Sequence, residues 1–108
     1  MKVCLTALFL GVASLLFQAG AAEPTEADRK RFLETKIKAE KGDANEQEKL
    51  GAWYAFGWGV VKDEAEAVKW YRKAADQGHA KAHVHLGFIY KSGRGVVKND
   101  AEAVKWFR

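Results

Sequence analysis

The chain of 108 residues carries 18 Lys and Arg against 14 Asp and Glu, a formal charge of +4, with 48% hydrophobic and 30% charged residues. The charges are mild and interspersed, which describes a solvated helix surface and argues against a nucleic-acid binder. A single cysteine excludes a disulfide framework, so a chain of this size holds one small domain stabilised by packing.

Residues 1–22 read as a secretory signal peptide. Lys2 supplies a positive start, Val3 to Phe17 is an almost unbroken apolar run, and Ala19-Gly20-Ala21-Ala22 is a small-residue cleavage region. The apolar run is short for a membrane span of about 20 residues. Cys4 lies too near the start, without a following small-residue context, for lipoprotein acylation. Cleavage after Ala21 or Ala22 would leave about 86 residues without cysteine and with 17 basic and 14 acidic side chains. The expectation is export to a bacterial periplasm or beyond, with no stable membrane insertion after cleavage.

Pro24 and Thr25 open the next segment, where Thr25 and Asp28 form a cap before helix-forming residues 26–41. A second helix is expected over 44–56, with Leu50, Trp53 and Tyr54 on one face. Gly51 lies inside it, where glycine costs about 1 kcal/mol against alanine. Such a glycine implies a neighbouring helix too close for a side chain. Gly57-Trp58-Gly59 turns the chain back. Asp63 followed by Glu66 has capping-box spacing. Behind it Ala67, Val68, Tyr71, Ala74 and Ala75 share the face of a helix over 64–77, closed by Gly78 as a left-handed cap. A fourth helix over 80–92 places Ala82, Leu86, Ile89 and Tyr90 together, with Gly87 inside it and Gly93-Arg94-Gly95 after it. Asn99 and Glu102 then cap a fifth helix over 100–108.

These elements repeat. Leu50 to Arg72 and Leu86 to Arg108 match at an offset of 36 residues, with 15 identities in 23 positions. A fixed period of this length means stacked supersecondary units, each burying its apolar face on the next. The chain divides into a leader (1–22), an N-terminal capping helix (23–42), a first repeat (43–78) and an incomplete second repeat (79–108). In this register Phe32 aligns with Val68 and Ala39 with Ala75, while Glu34 replaces Trp70, giving the capping helix a more polar outer face.

The string Leu-Gly-x-x-Tyr-x-x-Gly-x-Gly-Val-x-Lys-Asp, followed by Ala-Val-Lys-Trp-Tyr-x-Lys-Ala-Ala-x-x-Gly, resembles the Sel-1-like repeat, a relative of the tetratricopeptide repeat. The resemblance covers Asp43 to Arg108. It implies an all-α fold, an α-solenoid of antiparallel helix pairs in a right-handed stack, and protein–protein adaptor work. Glu46 departs from the motif, which has there the small residue seen at Ala82.

The sequence is poor in chemistry. Beyond residue 22 the only serine is Ser92, and no nucleophile motif surrounds it. Gly93 to Lys98 resembles a phosphate loop but lacks the third glycine and follows a helix instead of a strand. His79 and His83 lie at i, i+4, a spacing that can hold zinc, but His85 falls on the opposite face, so the three do not converge. No catalytic, cofactor-binding or metal residue is assigned.

The expected function is therefore a non-catalytic interaction module, its groove lined by the first helix of each repeat and receiving a peptide or a partner's helix. Positions that the copies share are expected to serve the fold, and positions that differ to serve a partner. Phe56, Trp58 and Phe88, opposite Ser92, Arg94 and Ala52, are the partner-binding candidates. The alternative is a cell-wall-directed small-ligand binder or weak β-lactamase-like enzyme. Cysteine-rich relatives of the repeat are described in those terms, but they staple each repeat with paired cysteines. The short last helix leaves Val104 and Phe107 without a following helix, so fraying or self-association through this end is expected.

Overall fold

In a computed structural model, residues 23–108 are described, and the expected leader lies outside them. They form five α-helices and no strand: α1 (Glu26–Glu40), α2 (Ala44–Phe56), α3 (Glu64–Asp76), α4 (Ala80–Ser92) and α5 (Asp100–Phe107). Each helix starts where a side chain accepts an otherwise unpaired backbone N–H. Asp43 accepts from Glu46, Asp63 from Glu66, and Asn99 from Glu102, at 3.0–3.1 Å. At α4 the cap is His79, whose Nδ1 accepts from Ala82 at 3.3 Å.

The full capping box expected at Asp63 and Asn99 forms only at Thr25, where Thr25 and Asp28 exchange both bonds. The backbone N–H of Asp63 instead donates to the Tyr54 carbonyl at 2.9 Å, and that of Asn99 to Tyr90 at 2.8 Å. Glu66 and Glu102 turn to Lys69 and Lys105. Tying the cap residue back to the preceding helix fastens the loop in both copies. Gly57 and Gly93 begin those loops at φ 73° and 75°, a left-handed conformation that glycine alone adopts without strain.

The helices pack in chain order, each on its neighbours along the chain. This is the quasi-linear connectivity of an α-solenoid. The main core joins Ala67, Val68, Tyr71, Ala74 and Ala75 of α3 to Ala82, Leu86 and Tyr90 of α4, with Ala103 from α5. A smaller cluster of Ala39, Leu50 and Trp70 joins α1, α2 and α3. Trp53 and Ile89, expected in the core, are only half-buried.

Gly51 and Gly87 stand where expected, against a neighbour. A Cβ on Gly51 would meet the Tyr71 ring at 2.8 Å, and one on Gly87 would overlap the Phe107 ring. Tyr71 and Phe107 are themselves equivalent positions. The same offset relates two polar bonds between repeats. Gln47 Nε2 donates to the Ala39 carbonyl at 3.0 Å, and His83 Nε2 reaches the equivalent Ala75 carbonyl at 2.9 Å.

Candidate interaction groove

Ala55 and Phe56 at the end of α2 face His85, Phe88 and Ile89 of α4 across an open cleft of about 610 Å³. Its remaining wall is α3, through Glu64, Ala67 and Tyr71, and its far rim is Lys91, Ser92 and Arg94. The cleft follows from the period of 36 residues, because equivalent first helices lie side by side with α3 between them. Phe56 and Phe88 are both more than half exposed. Phe88 meets Phe107 edge-on, ring centroids 5.2 Å apart.

Trp58 does not join them. It stacks on Phe56 at 4.8 Å between centroids and faces a second cleft of about 1000 Å³, shared with Pro24, Arg29, Arg31 and Trp53. Phe56 lines both clefts and so stands at the wall between them. The three candidates thus form an aromatic pair at one loop and a single ring across the main cleft.

Polar groups inside the cleft are mostly spoken for. His85 Nε2 lies 3.1 Å from Glu48 Oε1, and its ring stacks on Tyr71 at 4.7 Å. Burial, and behind it the Glu48 carboxylate, push the Tyr71 phenol above its usual range, so it stays protonated. Glu64 pairs with Lys62 at 3.3 Å. The Ser92 hydroxyl donates back to the Phe88 carbonyl at 2.7 Å. His79 Nε2 bonds Asn45 Oδ1 at 2.9 Å. The three histidines therefore serve three separate contacts, and among the described residues no group of three or more potential ligands could hold a metal.

Tyr71 and His85 are cleft residues that sequence reasoning missed. Tyr71 reads as core, and His85 as one of a histidine cluster. Lys91 and Arg94 carried a signal, since they stand opposite Ala55 and Trp58 at positions where the copies differ.

Helix pairs stacked at a fixed period, with a cleft between equivalent first helices, define an α-solenoid repeat module. The chain belongs to the Sel1 repeat family, whose pattern matches residues 47–79 and 80–108. Sel1-repeat proteins generally mediate protein–protein interaction, and the fold is typically a non-catalytic scaffold. Among solved structures, a Sel1 repeat protein from Oxalobacter formigenes is 37% identical at a TM-score of 0.67, covering 68% of this chain and 56% of its own. A protective antigen of uropathogenic Escherichia coli with the same repeat fold, c5321, is 41% identical at 0.67, covering 69% and 16%. The cysteine-rich protein B of Helicobacter pylori is 35% identical at 0.69, covering 72% and 59%. The chain thus spans less than two thirds of each of these relatives. A comparison with curated proteins gave no match. No described helix is long and apolar enough to cross a membrane.

Proposed function

We propose that this chain is an exported, non-catalytic adaptor that seats a peptide or a partner's helix in the cleft between α2 and α4. The observation that carries the reading is that Phe56 and Phe88, from different repeats, line one cleft while remaining more than half exposed. Exposed aromatics at a concave site supply large contact area at low entropic cost. The Ser92 hydroxyl is engaged by its own helix, which leaves no activated nucleophile in the cleft and favours binding over hydrolysis. Export rests on residues 1–22, and the mass of the mature protein recovered from the cell envelope checks it.

Once a partner is recovered from envelope extract, titration with purified variants tests the site. Phe88→Ala and Phe56→Ala should each weaken binding at least about tenfold, with helix content and melting temperature nearly unchanged, whereas Trp58→Ala, whose ring faces the second cleft, should weaken it less. Melting of the Phe56→Ala variant would instead assign that ring to the fold, and unchanged affinity of both phenylalanine variants would remove the site.

A further inference from the structure

We infer that the occupant of the cleft between α2 and α4 is an acidic peptide, one whose apolar anchor is flanked by carboxylates. The inference rests on the interaction reading above and adds the chemistry of the partner. Among the described residues, the rim of the cleft carries unpaired cations and no unpaired acid. The one acid that lines the cleft, Glu64, is paired with Lys62, and Glu48, behind the lining residue His85, is hydrogen-bonded to that ring. Lys91, in the last turn of α4, and Arg94, in the following loop, have no carboxylate within ion-pair distance among the described residues. Both line the same cleft as Phe56 and Phe88.

The repeat itself does not require these cations, because the equivalent positions in the first copy are Ala55 and Trp58. Their place is the mouth of this one cleft. A peptide side chain packed between the two phenylalanines would bring its neighbouring residues to that rim. Carboxylates there meet two uncommitted cations, one of them a guanidinium that can bind a carboxylate through two parallel bonds. A basic peptide would set like charges together with every nearby acid already occupied, and like-charge juxtaposition is a strong filter against wrong partners.

The test is selection of a randomised peptide library, displayed on phage, against the full chain and against Lys91→Glu/Arg94→Glu. Enriched sequences are then synthesised and titrated at low and moderate salt. The expected result is enrichment of apolar residues beside Asp or Glu, and binding that falls with salt. The charge-reversed variant, melting as the parent does, should lose about tenfold in affinity for the same peptides. Lys91→Ala/Arg94→Ala, which adds no new charge, should lose less in the same direction. Peptides that require Phe88 but show no acidic bias, and bind the charge-reversed variant equally, would overturn the acidic partner and leave the groove standing. Failure to enrich any peptide whose binding depends on Phe56 or Phe88 would overturn both.

Discussion

The two repeats share most of their residues but not their burial. Val68 is 6% exposed and its equivalent Val104 is 52%; Tyr71 is 1% exposed and Phe107 is 46%. The inner position behaves differently, since Ala67 and Ala103 are both buried. The difference lies in the neighbours. α3 is packed between α2 and α4, whereas α5 rests mainly on α4 and reaches α3 at its edge, where Arg72 lies over the Trp106 ring. A repeat therefore specifies its helices and the contact inside its own pair, and the fate of its outer face is decided by the next unit. This is why stability in such arrays is a sum of intrinsic and interface terms.

The sharpest test of that contrast is truncation of the equivalent aromatic. Tyr71→Ala should cost about 3–5 kcal/mol in urea unfolding, as expected for a fully buried ring. Phe107→Ala should cost only about 1–2 kcal/mol, because half of the ring is already in solvent. Equal costs would mean that the second repeat is covered by something, such as a second copy of the chain.

The two helix glycines give the next largest difference. Gly51→Ala pushes a Cβ into the Tyr71 ring, which is held by the core and by His85, so a loss of about 1–3 kcal/mol is expected. Gly87→Ala meets the ring of Phe107, which is about half exposed and can turn toward solvent. There the gain in helix propensity, about 1 kcal/mol, should nearly offset the clash. A larger loss at Gly87 than at Gly51 in thermal melts would show that α5 is as firmly held as α3.

The smallest effect separates α1 from both repeats. The Thr25 backbone N–H, then its hydroxyl, hold the Asp28 carboxyl below its ordinary 3.8. A group whose folded value is depressed contributes stability above its unfolded value and loses it as pH falls through the folded one. The cap of α1 should therefore be intact above about pH 4 and weaken below it. Asp28→Asn should remove that part of the acid transition in circular dichroism and slightly lower the melt at neutral pH, where the carboxylate makes its full contribution. An unchanged acid limb would assign no role to the box.

How far the sequence reached differs from element to element. The five helices were legible because caps, glycine turns and apolar faces are local signals, written twice at one period. Gly51 and Gly87 were legible as close approaches because a helix interior gives glycine no other reason to be there. The rule that shared positions serve the fold failed at Val61 and Val97, both 87% exposed. In each Val-Val pair after the loop, successive side chains point to opposite sides, so Val60 and Val96 turn inward and their neighbours outward.

By itself, then, the sequence determined the helices, their order and the repeat that stacks them, since these follow from spacings of a few residues. Only the tertiary structure decided which of two identical side chains is buried, because burial belongs to the neighbouring unit. It also decided that Phe56 and Phe88 share a cleft with Lys91 and Arg94 while Trp58 faces another. Those distances are set by how one helix pair packs on the next, and no residue within a pair encodes them.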